Sequence, residues 1–370
     1  MKKIKKLFVS CMFLVILLTA CATPKTETDT PEGEEKVSKM LFDDLTDNTF
    51  NYCPSIMQVD ENTRYVYYCA NVMSGVVQDH IICRKATKEK DGKWSFTEKK
   101  VVLAPTEGKY DGLHCCDPSV VKGEFSYDGK KYEYLMAYTG NTDNVNNKVG
   151  LAVSNDPLDG WVKVENPLRT YNGDNSHWGV GQPSLVSIDK KGQVMFFYAV
   201  GSTSTYTMVE RMDFSDLNNP VTLSSMQLTQ RGLTDLNGAV GDCLSNGDFA
   251  WDPVKKRYYC VSDCHPNPTD SEPAFVGSHF RVTYLNESGT SVGELFETSE
   301  ASAGKSWSTL ATIGPNDTGF PRNSNCGIVT DPYGWMLSEK EMDVFYSISE
   351  TGKNYMWSYR IYPWTIEITE

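Results

Sequence analysis

Three short stretches decide the architecture: Cys53-Pro54-Ser55-Ile56, Asp117-Pro118-Ser119-Val120 and Gln182-Pro183-Ser184-Leu185, all of the form x-Pro-Ser-aliphatic, 64 and then 65 residues apart. Self-similarity at a long fixed period marks a repeated supersecondary unit. Degenerate matches continue the series to Asp248, in Asp248-Phe249-Ala250-Trp251, and to Asn325, in Asn325-Cys326-Gly327-Ile328-Val329, so five copies fill the chain from residue 53 to its end.

Each copy holds four runs of β-branched and aromatic residues bounded by turn residues, the content of one propeller blade. The outer strand of copy four is expected at Glu294–Glu297, and the last two strands of copy five at Tyr355–Ile361 and Trp364–Ile368. No stretch shows helical periodicity. The expected fold is therefore all-β, a five-bladed propeller of four-stranded antiparallel blades over residues 41–370, with a multi-domain β-sandwich as the alternative. Either residues 39–45 or the terminal Trp364–Ile368 run completes the last sheet. At 370 residues the chain is long for one ordinary domain, a difficulty that a closed ring removes. A formal net charge of −13 leaves no electrostatic footprint for nucleic acid.

The first twenty residues read as an export signal, with four lysines, an apolar run from Leu7 to Leu18 and small residues after it. That run is short for a membrane span. The segment Leu18-Thr19-Ala20-Cys21 resembles a bacterial lipobox, which implies lipidation of Cys21 and anchoring to the cell membrane or cell surface. Residues 21–40, low in aliphatics and rich in Thr, Glu and Pro, have the composition of a disordered tether.

In a propeller, the connections between first and second strands, and between third and fourth, lie on one face. The second-to-third and inter-blade connections lie on the other. All five histidines, His80, His114, His177, His265 and His279, fall on this second face, as do most cysteines of the domain. That asymmetry points to a working face with a pocket where inner strands begin. The repeat positions Cys53, Asp117, Gln182, Asp248 and Asn325 would ring its mouth, with His114, His177, Trp178, Asp242 and Arg322 around them. Amides, hydroxyls and carboxylates beside an aromatic platform, Trp178, suit a polyhydroxylated ligand, since each sugar hydroxyl both donates and accepts. Trp161, opening an outer strand, reads as packing.

The segment from Asn147 to Trp161 (Asn-Lys-Val-Gly-Leu-Ala-Val-Ser-Asn-Asp-Pro-Leu-Asp-Gly-Trp) resembles a blade segment of five-bladed glycosidases, similar to glycoside hydrolase families 43 and 32. The Asp117-Pro118-Ser119-Val120 and Gly179–Ser184 stretches resemble inner-strand starts of the same superfamily. The resemblance implies two carboxylates flanking a glycosidic bond, one a general acid and the other a base or nucleophile. The family 43 pattern has an Asp where this chain has Cys53, and another where it has Gln182. The pair that remains is Asp248 as acid and Asp117 as base, with Asp242 in reserve. Set against it, Asp117 caps a turn before Pro118 and Asp248 binds backbone amides across the ring.

Nine cysteines remain beyond Cys11 and Cys21, so a monomer keeps at least one thiol unpaired. Cys69 and Cys83 are the expected disulfide, if the thiols are not all reduced. Cys115-Cys116, after His114 and before Asp117, suggests a metal site or a nucleophile but lacks ligand spacing. No metal or cofactor is required, although a structural cation at the propeller axis is compatible with the ring.

The leading reading is a surface-anchored glycoside hydrolase acting on the side chain of a plant or host glycan. The alternative is a non-catalytic glycan-binding propeller that has lost the family's acids. Both expect a monomer with an oligosaccharide or polysaccharide partner; a purely structural propeller fits the one-sided loop chemistry least.

Overall fold

The computed structural model describes residues 39–42, 45–143, 145–299 and 303–369. The export signal, Cys21 and the tether to residue 38 lie outside these residues. The described chain is a five-bladed β-propeller. Blade one holds β1 (Asn51–Asp60), β2 (Thr63–Ala70), β3 (His80–Lys88) and an outer edge in two pieces, β4 (Trp94–Phe96) and β5 (Lys100–Leu103). Blade two is β6 (His114–Tyr127), β7 (Lys130–Asn141), β8 (Lys148–Ser154) and β9 (Val162–Lys163). Blade three is β10 (Gly179–Ser187), β11 (Gln193–Gly201), β12 (Thr205–Asp213) and β13 (Val221–Gln227). Blade four is β14 (Asp248–Asp252), β15 (Arg257–Cys264), β16 (His279–Leu285) and β17 (Trp307–Ile313), and blade five is β18 (Arg322–Thr330), β19 (Glu341–Ser349) and β20 (Arg360–Glu367). Within each blade, neighbouring strands pair antiparallel in chain order.

Two expected strands are absent where the sequence placed them. Glu294–Phe296 is a 3-10 turn, and the outer strand of blade four comes later, at β17. Leu295 and Phe296 are both buried, Phe296 against Phe197 and Tyr258. Likewise Tyr355–Ser358 is a 3-10 turn, and the remainder of blade five's end is the single strand β20.

The ring closes through both ends of the chain. Strand β1 pairs in parallel with β18, Ile56 opposite Val329, which merges blades one and five into a single sheet. Along β20, the Leu41 amide donates to the Ile361 carbonyl at 2.8 Å. Phe42 then packs against Tyr68 and Phe96, with ring centroids 4.9 and 5.1 Å away.

Five buried clusters straddle the five blade junctions. The richest, between blades three and four, stacks Phe197 on Phe249 at 4.0 Å and adds Trp251, Tyr258, Phe296 and Trp307. Aromatic rings fill the wedge between sheets that splay outward from the axis, which is why the blades carry large residues on both faces. Trp161 does serve as packing, edge-on to Tyr67 at 6.1 Å.

Candidate functional site at the inner-strand bulges

The x-Pro repeat is a β-bulge. In blades one, two, three and five the ladder between first and second strands skips two residues: Cys53-Pro54, Asp117-Pro118, Gln182-Pro183 and Asn325-Cys326. Proline has no amide to give a ladder, so a bulge tolerates it. The first residue of each pair is left-handed, with φ of 52° at Cys53, 50° at Asp117, 52° at Gln182 and 47° at Asn325. In blade four the left-handed residue is Asn246, at φ 48°. The repeat therefore passes through Asn246 and not through Asp248, which the sequence had put there. Asn and Asp tolerate this conformation better than most side chains, and Asn246-Gly247 is the one signal that could have found it.

Correcting the register by two residues reveals how the ring is latched. The bulge amides of four blades each find an acceptor on the second strand of the preceding blade. Cys53 N–H donates to Ser347 Oγ (3.0 Å), Asp117 N–H to Cys69 Sγ (2.9 Å), Gln182 N–H to Thr139 Oγ1 (2.8 Å) and Asn325 N–H to Asp263 Oδ1 (3.0 Å). The equivalent residue in blade three is Ala199, opposite Gly181, and it has nothing to offer. There Gln182 steps in, its Oε1 accepting the Asn246 amide at 3.1 Å.

A second latch runs two residues further along. Ser119 Oγ accepts from the Leu185 amide, Ser184 Oγ from Phe249, and Asp248 Oδ2 from Ile328 at 2.8 Å. The other oxygen of Asp248 accepts from the Ser184 hydroxyl at 2.8 Å. Asp248 thus holds the position that serine holds in blades one, two and three, and both of its oxygens bind groups of neighbouring blades. Burial raises its carboxyl to about 6 against the lowering effect of the Ile328 amide and the Ser184 hydroxyl.

Cys53, Asp117, Gln182 and Asp248 come together around one axial cavity of about 30 Å³, with Asn246, Gly247 and Cys326. That is room for about one water. Asn325 joins the ring through its amide. Asp117 is buried, and burial raises its carboxyl, although hydrogen bonds with Cys53 and Thr139 oppose this. At Cys53 a hydrogen bond with Cys69 favours the thiolate, but burial and the Asp117 charge outweigh it and push the thiol up to about 12.

The surrounding residues divide. Trp178 is half-buried, its indole lying over Gly201 and reaching Gly181, where a Cβ on either glycine would sit within 3.0 Å of the ring or its Cβ. His177 stands edge-on to Tyr171 at 5.7 Å. Three other residues are held inside the fold. His114 is buried against Asp79 (2.7 Å), and Arg322 is buried with its guanidinium donating to the Ser271 and Pro273 carbonyls. Asp242 sits between His265 Nδ1 (2.7 Å) and Arg281 (2.8 Å). Burial lowers the His265 pKa, but Asp242 and the Cys243 sulfur overcome this and raise it to about 10.

Residues that the repeat did not single out complete the site. Tyr52, next to Cys53, begins an aromatic run through Tyr359 (5.5 Å), Tyr355 (6.3 Å) and the exposed Phe275 (5.9 Å). These rings come from strand β1, the β19–β20 connection and the β15–β16 loop, so no linear motif announces them. The expected Cys69–Cys83 disulfide is not formed. Cys69 lies opposite Ile81 and Cys83 opposite Tyr67, two positions out of register, and the nine cysteines of the domain are free thiols.

With this geometry established, solved structures supply the wider context. The chain is similar to a thermostable family 43 glycoside hydrolase at 14% identity, covering 86% of this chain and 89% of that one with a TM-score of 0.51. A family 43 enzyme from Xanthomonas citri aligns over 88% and 90% at 12% identity and a TM-score of 0.53. A family 117 glycoside hydrolase from Zobellia galactanivorans aligns over 88% of both chains at 10% identity and a TM-score of 0.53. The fold is the five-bladed propeller of these glycoside hydrolases. No family model matches the sequence, and no curated protein matches it.

Proposed function

We propose that this protein is a carbohydrate-active propeller that takes an oligosaccharide across the funnel mouth, between Trp178 and the aromatic run that begins at Tyr52. Supporting the ligand class, the Xanthomonas citri enzyme of the same fold has been solved with xylotriose and with xylose. Flat half-buried rings beside amide and carboxyl groups are the surface that sugars stack on and hydrogen-bond to.

Binding without turnover is the mode this geometry supports best, and one observation carries it. Of the five left-handed positions, Cys53, Asp117, Gln182, Asn246 and Asn325, only Asp117 bears a carboxylate. Asp248, its expected partner, has both oxygens engaged in the blade latch. Acid–base glycoside cleavage uses two carboxyl groups. A second reading, hydrolysis with Asp117 as proton donor, is favoured by its raised carboxyl at the cavity. We further propose export and anchoring through Cys21, on the strength of the Leu18–Cys21 motif; Cys21→Ala should release the protein from the membrane fraction.

A glycan panel read for both binding and released sugar tests the main proposal. Binding without release is expected. Release that disappears in Asp117→Asn establishes the second reading, and a panel with neither binding nor release overturns the carbohydrate assignment.

A further inference from the structure

Three thiols and one carboxyl converge where blade one meets blade two. Cys53 and Asp117 are the left-handed bulge residues of adjacent blades, Cys69 is the latch residue between them, and Cys116 precedes Asp117. The sulfurs of Cys53 and Cys69 and a carboxylate oxygen of Asp117 all lie within 4.8 Å of one another. Cys116 Sγ is 3.8 Å from Asp117 Oδ2. All but Cys53 are buried.

At the latch position blades two, four and five use oxygen, from Thr139, Asp263 and Ser347, and blade three has Ala199; only blade one uses sulfur. Among the left-handed positions, only blade one again has a thiol. The Cys53 and Cys69 thiols face each other across one contact, as a ligand set requires. The Asp117 amide approaches Cys69 Sγ at 2.9 Å, an arrangement that also stabilises a metal-bound thiolate by an outer hydrogen bond.

We propose that Cys53, Cys69, Cys116 and Asp117 form a binding site for a thiophilic divalent cation of the Zn²⁺ class, clamping blade one to blade two beside the funnel. Three sulfurs and one carboxylate oxygen are a tetrahedral zinc donor set. Zn–S bonds of about 2.3 Å place ligand sulfurs about 3.8 Å apart, so the Cys53 and Cys69 sulfurs, within 4.8 Å of each other, need close by at most about 1 Å. Each ligating thiol gives its proton to solvent on binding. The other cluster of this kind, Asp242, Cys243 and His265, is a poor rival, because the Arg281 guanidinium already occupies Asp242.

The sequence hides this site because its ligands come from two blades: Cys53 and Cys69 flank one hairpin, and Cys116-Asp117 lie on the next inner strand.

The test uses the full chain purified under reducing conditions, stripped with chelator and titrated with Co²⁺ and then Zn²⁺. The expected result is one equivalent of Co²⁺ with thiolate-to-cobalt charge-transfer absorption, displaced by Zn²⁺. Cys69→Ser should weaken Zn²⁺ by more than the roughly 10–100-fold that loss of an outer partner costs. Should Cys69→Ser fail to fold, Cys53→Ser, at the more open position, provides the same comparison, and Cys264→Ala outside the cluster should bind as wild type. Absence of stoichiometric metal and of the charge-transfer band in reduced protein overturns the proposal. So does mass spectrometry of unreduced protein showing a disulfide between any two of the three thiols, or Cys53→Ser that folds and binds Zn²⁺ like wild type.

Discussion

Gln182 stands where the glycosidase resemblance expected an acid, yet its amide oxygen performs a latch that the other blades assign to a different residue. Removing it in Gln182→Ala leaves the Asn246 N–H without its partner, because Ala199 at the usual acceptor position has no polar atom. A donor left unmade in this way costs about 1–3 kcal/mol. The same structure says how to restore it. A serine at position 199 would stand where Ser347 stands in blade five and accept the amide as Ser347 accepts that of Cys53. Ala199→Ser alone, with the amide already satisfied, is expected to change stability by less than about 1 kcal/mol. In the double variant it should recover most of the loss, giving a coupling energy of about 1–2 kcal/mol in a double-mutant cycle. Urea unfolding of the four proteins at constant pH measures this directly. If Gln182→Ala unfolds at the wild-type midpoint, or if Ala199→Ser fails to rescue it, the equivalence of the five latches is wrong.

Other expectations follow from the same geometry. Asp248 and Asp263 both have carboxyls raised by burial to about 6, from an ordinary value of 3.8. Between those values the folded state binds more protons than the unfolded one, so this part of the stability is full at low pH and is lost as pH rises from about 4 to about 6. The loss is roughly 3 kcal/mol for each group; urea unfolding across that window should show the component shrink in Asp263→Asn, and an unchanged profile refutes the shift. Ser184→Ala removes both the acceptor for the Phe249 amide and a donor to Asp248, and should cost about 1–3 kcal/mol by denaturant unfolding, with no loss counting against the latch. Trp178→Ala should weaken oligosaccharide binding by about tenfold or more, measured calorimetrically; unchanged affinity would place the ligand elsewhere.

The fold was legible because the bulge of blades one, two and three repeats a chemical preference: proline where no amide is wanted, and a serine hydroxyl directly after it. Blade four hid its bulge in Asn246-Gly247-Asp248, with no proline to mark it and an acid in place of the serine, and the period was drawn through the wrong residue. The site was legible only as a face. That Asp117 and Cys53 line the axis followed from the repeat, whereas the fates of Asp248, Asp242, Arg322 and His114 depend on partners distant in sequence. The Cys69–Cys83 pairing failed for a simple geometric reason: proximity at a hairpin does not set register, and two positions separate them along the ladder.

The closing seam has a consequence for how the protein comes into being. Cys53 in the first inner strand waits for Ser347, 294 residues downstream, and β1 waits for β18. Chain elongation at about 5–20 residues per second leaves that first strand edge unpaired for on the order of half a minute. An unpaired strand edge is a template for the wrong partner. Biogenesis of this ring is therefore a race between its last hundred residues and aggregation, and a holdase that covers Asn51–Asp60 would decide the yield of folded protein.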